Sequence, residues 1–394
     1  MINLTNRQAR QFILLKHGLL GEYKFINKQG AFDFVRQAGC IQYDPVDVCG
    51  KNSELTLQSR VKDFNKNTLD ELLYKDRKLF DYPDKCLSII PTEDLPYFNR
   101  YREDARNHAG HYPKMKELID YARSYIEANG VVCSDDLKIE GGFYWQSAIH
   151  WSAGNNLSRS VLEQMYSTVD LIIHHKNGTR KYYDLAEKHI KSEILNAPEP
   201  LPDDFEHKKW RLLRRIGAVG LIWNRPSDAW LHICRSDNEI RNKLFRELFN
   251  ENKITEISVE GLKDIFYCRI EDMRLIEFAL QNKEFIPRCE LIAPLDCLLW
   301  DRKFIKSIFG FEYSWEIYTP QNKRKYGAYV LPILYGEDFI GRAEAVNERK
   351  TKALIVKNIW YENNIKQTKI LQTTVENCLR RFAKFNECDN MQFL

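Results

Sequence analysis

The sequence predicts an α+β fold of helical units closed by β-hairpins, followed by a C-terminal antiparallel β-barrel-like domain and a terminal helix. Three observations carry this. Three amphipathic stretches precede a hairpin centred on Asn177-Gly178, a strong short-range hairpin signal. A weaker copy of the same order follows and closes around Gly261. From about residue 291 the chain turns to alternating or wholly apolar runs, then ends on a helical stripe.

The elements follow in order. Thr5 caps a helix running to about residue 19, stopped by Gly18 or Gly21. A second helix covers 28–37 and ends at Gly39. The stretch Gly39-Cys40-Ile41-Gln42-Tyr43-Asp44-Pro45 comes next, as a strand or turn. Pro45 removes a ladder donor, so this is an edge or a turn and not a central strand. After residues 53–60, a helix near 68–74 leads to the aromatic-rich Leu79-Phe80-Asp81-Tyr82-Pro83.

The second unit has a helix over 115–128 that stops at Asn129-Gly130. Ser134 begins a short helix with Asp135 and Asp136 in its first turn, and Ser158 caps a third carrying Val161, Leu162 and Met165. Two strands then flank Asn177-Gly178. Three helices and a hairpin with a basic tip is the winged-helix order, in which the third helix often enters a DNA groove. Pro198, Pro200 and Pro202 mark the next junction.

A third unit places helices at 210–219, 226–232 and 239–250 before strands at 254–259 and 265–268. By analogy the first helices form a first winged unit, although no wing is visible there. The division is therefore 1–112, 113–200, 201–290 and 291–394. In the last part, strands are expected at 313–318, 326–335, 339–346 and 353–360, with a turn at Gly336-Glu337. A final helix over 367–384 presents Ile370, Leu371, Val375, Leu379 and Phe382 on one side.

Composition narrows the class. A chain of 394 residues with 44% hydrophobic and 29% charged residues is ordinary for a globular protein. Its net charge of +4 permits an acidic partner without demanding one. Ten scattered cysteines with no C-x-x-C read as reduced thiols, not as zinc ligands or disulfides. No signal architecture and no apolar run of about 18 residues is present, so a cytoplasmic protein is expected, and it is read as a monomer.

In an extended run Gln42 and Asp44 share a face, with Cα atoms roughly 6.5–7 Å apart. That spacing leaves room for one water, accepted by the carboxylate and oriented by the amide. A polar pair in a loop is the plain alternative. Basic residues cluster at Arg159, at Lys176, Arg180 and Lys181, and at Lys323-Arg324-Lys325. They are either solvated faces or phosphate contacts. His108 with His111, and His174 with His175, lack the frame that closes a metal site. No G-x-G-x-x-G, Walker loop or G-x-S-x-G occurs, so neither cofactor nor metal is expected. Asp296 and Asp301 read as functional carboxylates or as a helix cap and an Asp–Arg contact.

Several stretches resemble, in order, the winged-helix DNA glycosylase family typified by bacterial enzymes that unhook interstrand crosslinks. They are Ile41-Gln42-Tyr43-Asp44-Pro45, Leu57-Gln58-Ser59-Arg60-Val61, Leu73-Tyr74-Lys75-Asp76-Arg77-Lys78-Leu79, Ala293-Pro294-Leu295-Asp296 and Trp300-Asp301-Arg302. Trp315-Glu316-Ile317-Tyr318, Lys325-Tyr326-Gly327, Leu331-Pro332 and Gly341-Arg342 continue the likeness. The resemblance implies tandem winged helices on a concave DNA-binding surface with a C-terminal β-barrel. It implies a catalytic Gln-aromatic-Asp motif at Gln42, Tyr43 and Asp44. The implied substrate is double-stranded DNA carrying cationic N-alkylpurines, especially at N7 of guanine, or crosslinks through that atom. Tyr43 and Arg60 join the basic residues as candidate DNA contacts. A charged purine leaves without a general acid, so one carboxylate suffices. With no lysine in the motif, the expected enzyme is monofunctional, and a crosslinked base calls for an opened duplex and no tight base pocket. The rival is a winged-helix regulator without catalysis. A nuclease would want a carboxylate cluster for metal, and none is visible.

Overall fold

The structure is a computed structural model that describes residues 1–110, 113–139 and 156–394. The chain forms two compact units. One is built from Met1–Leu69, Asp84–Ile89 and Lys208–Leu394, the other from Asp70–Pro83 and Ile90–His207. The fold is mixed α+β, and no helix among the described residues is long and apolar enough to cross a membrane.

In the first unit, helix Asn6–Lys16 opens on a capping box in which Thr5 and Gln8 satisfy each other's backbone N–H groups. Helix Asn27–Ala38 stops at Gly39, whose φ of 74° suits only a residue without a Cβ. Strand Ile41–Gln42 pairs antiparallel with Ile89 and Ser88. Strands Ile254–Val259 and Ile265–Arg269 form the expected hairpin, with Gly261 at φ 78°. They belong to a four-stranded sheet, with Ile222–Trp223 on one edge and Ile2–Leu4 running parallel on the other. The expected helix at 226–232 is a single 3-10 turn, Asp228–Trp230, capped by Ser227. Pro226 and the exposed Asp228 leave it too short an apolar stripe to extend. Helix Met273–Leu280 was not expected from pattern.

The C-terminal sheet has five strands in chain order: Cys289–Leu291, Val330–Tyr335, Asp338–Glu348, Ala353–Tyr361 and Asn390–Phe393. It is open, a half-barrel and not a closed one, and its last strand runs parallel to its neighbour. Residues 313–318 are not a strand. The Glu316 carboxylate accepts the backbone N–H groups of Lys325, Tyr326 and Gly327 at 3.0–3.3 Å, tying two loop segments together instead of joining a ladder. Helix Lys369–Phe385 packs Leu371, Val375, Leu379 and Phe382 on the sheet. Ile370 is 78% exposed, because one residue is about 100° of helix rotation from Leu371 and falls off the buried stripe. Cys49 and Leu55 share this core, and Val46 and Val48 pack against it. The sheet thus supports the loop that follows Gln42-Tyr43-Asp44.

The second unit holds helices Asn99–Gly110, Pro113–Asn129 and Leu157–Ser167, then hairpin strands Leu171–Asn177 and Arg180–Leu185 around Gly178. Met115, Ala122, Ile126, Val161, Leu162, Met165, Leu171 and Tyr183 form its core. The third helix is capped by Asn156, not Ser158, and Ser158 instead donates its hydroxyl to the Leu137 carbonyl. Residues 134–136 form a turn, with the Asp136 carboxylate accepting from Cys133 N–H at 2.7 Å. Val132 bridges to Tyr183 beside the hairpin. His111 lies outside the described residues.

Candidate active site

Gln42 is the last residue of a two-residue strand, and the chain leaves the sheet at Tyr43, whose N–H donates to the Leu87 carbonyl at 2.9 Å. The extended geometry expected through Asp44 therefore ends early. Asp44 closes a side-chain turn over Pro45, accepting from Val46 N–H at 2.8 Å. Its carboxylate is half-buried and carries no ion pair among the described residues. Burial lifts its pKa above the ordinary carboxylate value, and the Val46 N–H only partly opposes that. Asp47, three residues on, is engaged otherwise, pairing with Arg349 at 2.5 Å.

Gln42 is held at both ends. Its carbonyl accepts from Asn52 Nδ2 at 2.8 Å, and Asn52 Oδ1 accepts from Leu295 N–H at 2.9 Å. Its side-chain Oε1 accepts from Lys85 Nζ at 3.3 Å. Lys85 is buried, and its ammonium lies 5.2 Å from the Trp300 ring centroid. Burial, with Arg215 adding to it, lowers its pKa.

The residue before it anchors this lysine. Asp84 is buried and receives Arg211 and Arg215 at 2.7 Å and Arg214 at 3.6 Å. Burial works to raise the Asp84 pKa, but the three guanidinium groups outweigh it and hold it well below the ordinary range. All three arginines fall on one face of helix Asp204–Val219, at helical spacing. The same face reaches the start of the motif: Arg214 donates to the Gly39 carbonyl at 2.5 Å and Arg215 to Cys40 Sγ at 2.9 Å. A Cβ on Gly39 would sit 2.6 Å from Arg214 Nε, so this position needs glycine for space as well as for φ.

The remaining candidates are placed as follows. Tyr43 is half-buried beside the motif. Arg60 has no exposed surface: its guanidinium pairs with Asp296 at 2.5 Å and covers the Phe34 ring at 4.4 Å. That corrects the expectation of a DNA contact there, since a fully buried cation reaches no phosphate. Asp296 caps the turn at Leu298, and Asp301 caps helix Arg302–Phe309 while accepting from Trp223 Nε1 at 2.8 Å. Both carboxylates are thus committed to caps and partners within the fold. In the second unit Arg159 is exposed, Lys176 pairs with Asp81, Lys181 with Glu163 and Arg180 with Asp135, at 2.7–2.9 Å. Lys323 and Lys325 are exposed, and Arg324 Nε donates to the Thr319 carbonyl at 2.7 Å.

His174 and His175 hydrogen-bond each other at 2.9 Å. His17, Asp296 and Cys297 bring three ligand-type atoms within 4.8 Å, all buried. There burial pushes the Cys297 thiol up and His17 down, and Arg60 already neutralises Asp296, so the cluster reads as a satisfied core. Sequence reasoning missed Asn52, Asp84 and Lys85. Lys85 is 43 positions from Gln42, and no local pattern marks it.

Two comparisons with known proteins bear on the family of the chain. A solved structure titled Streptomyces sahachiroi DNA glycosylase AlkZ is similar in fold, with a TM-score of 0.61 at 15% identity over 100% of both chains. The family described as DNA glycosylase AlkZ-like matches residues 35–385, which include Gln42, Asp44, Lys85 and the C-terminal sheet. The chain belongs to that family and is a DNA N-glycosylase.

Proposed function

We propose that the enzyme hydrolyses the N-glycosidic bond of cationic N-alkylpurines, N7-alkylguanine above all, and unhooks N7-guanine interstrand crosslinks. The observation that carries this is Asp44: a half-buried carboxylate with one backbone donor and no cation beside it among the described residues. Such a group favours positive charge developing on the sugar and deprotonates or aligns a water. A purine that is already charged leaves without a general acid, so a single carboxylate suits it. Gln42 holds the water. Double-stranded DNA is the partner, with Tyr43, Arg159, Lys176, Arg180, Lys181, Lys323, Arg324 and Lys325 as its candidate contacts. Tandem winged-helix units over 1–112, 113–200 and 201–290 would supply the DNA-reading elements.

The test is base release from duplexes holding 7-methylguanine or a nitrogen-mustard crosslink, in EDTA, with product abasic sites left unbroken. Release is expected from both. Activity left unchanged by Asp44→Asn and Gln42→Ala would remove the site assignment. No release from either, with tight binding to one sequence, would favour a regulator.

A further inference from the structure

We propose that Lys85 is a positioning residue that fixes which end of the Gln42 amide faces the reaction. This rests on the role given to Gln42 above. A carboxamide has an oxygen that only accepts and a nitrogen that only donates, and in a loop it can turn either end outward. An ammonium has three donors and no acceptor, so Lys85 can hold only Oε1. Nε2 is then the end left for water.

That choice orients the nucleophile. A water held by Nε2 accepts one hydrogen bond from it and keeps its own protons for an acceptor. Asp44 is the nearby carboxylate in the same motif with acceptor capacity to spare, having one backbone donor. Donating to Asp44 leaves the water with one lone pair for the anomeric carbon. With the amide reversed, Oε1 would draw a water proton to itself and compete with Asp44. Lys85 thus turns an ambiguous amide into a directional one.

The lysine is built to hold this place. Asp84, tied to three arginines, fixes the backbone beside it, and the turn is closed by Asp84 N–H donating to the Cys86 carbonyl at 2.9 Å. The Trp300 ring supports the ammonium from one side. Among the described residues no carboxylate lies within ion-pair distance of Lys85, Asp228 acting on it only from further away, and its hydrogen bond goes to Gln42. The competing role for this amine is attack on the abasic product to form a Schiff base, and the test separates the two.

Lys85→Met, which keeps an unbranched apolar stem and removes the donor, is compared with wild type on 7-methylguanine duplex, with thermal melting as a check on folding. We expect kcat to fall by ~10–100-fold with KM changed by less than ~3-fold, the signature of a transition-state effect. Lys85→Arg, which still only donates, should recover most of the loss. In a Gln42→Ala background Lys85→Met should change kcat by less than ~2-fold, because the two residues act in series. Independently of activity, the side-chain amide 15N–1H signal of Gln42 should shift in Lys85→Met. Equal losses in both backgrounds, a change confined to KM, or an unshifted amide signal would overturn the proposal. So would a borohydride-trapped DNA adduct that Lys85→Met abolishes, which would make the lysine a nucleophile. A wild-type protein that releases no base fails the functional reading instead, and the amide signal still decides the contact.

Discussion

Asp44 and Asp84 are the same residue type in the same unit, and their surroundings are opposite. Asp84 is fully buried among three guanidinium groups on one helix face, which hold it ionised far below the usual range. Asp44 is half-buried, takes one backbone N–H, and has its pKa raised. The arginines nearest the motif are committed to Asp84, Gly39 and Cys40 and do not neutralise Asp44. The difference separates two uses of a carboxylate. One stores its charge in an ion-pair network that fixes geometry, and the other, in the function proposed above, would keep its charge available for a cation brought by the substrate.

Measurements at both carboxylates and at the surface would break or sharpen this contrast. Asp44→Asn should cut base release by about 10²–10⁴-fold, as expected for loss of a catalytic carboxylate. The reciprocal change, Asp84→Asn, should act on the fold: leaving three arginines unpaired in the interior should cost about 3–5 kcal/mol in urea unfolding. If it lowered activity with stability intact, the division of labour would be wrong.

The pH profiles should also diverge. The folded pKa of Asp84 is depressed, so its stabilisation is fully present above the unfolded value near 4 and is lost only as strong acid approaches its folded pKa. The folded pKa of Asp44 is raised, so its anion weakens the fold at neutral pH, and Asp44→Asn should melt no lower than wild type. Consistently, the acid limb of kcat/KM should lie above the ordinary carboxylate range. The smallest effect belongs to the surface. Arg180→Ala should leave the urea unfolding midpoint unchanged, since its pair with Asp135 is solvated. Lys323→Ala or Lys325→Ala should reduce the salt slope of DNA binding by about 1 each if they meet phosphate.

Much of the local structure was legible. Thr5, Gly39 and Asn177-Gly178 each encode a boundary within a few residues, and each boundary falls where the pattern puts it. The motif itself also stands in the sequence. What surrounds it does not, because it is assembled over distance: Asp84 meets Arg211 and Arg215 from 127 and 131 residues away. Arg60 was misread for the same reason, since its partner Asp296 is 236 residues on and nothing near Arg60 signals burial. Residues 313–318 alternate like a strand, yet the Glu316 carboxylate captures the backbone donors that strand pairing would have used.

The short strand Ile2–Leu4 lies parallel to Ile254–Val259. Its partner is made only after both hairpins' preceding helices and the whole of the second unit have left the ribosome. At 5–20 residues per second that is a wait of roughly 10–50 s, during which an edge-forming segment is without its ladder. Neither end of the sheet can therefore set the order of assembly. The first unit closes last, after the second is finished, and chaperone demand during translation should fall on residues 1–69.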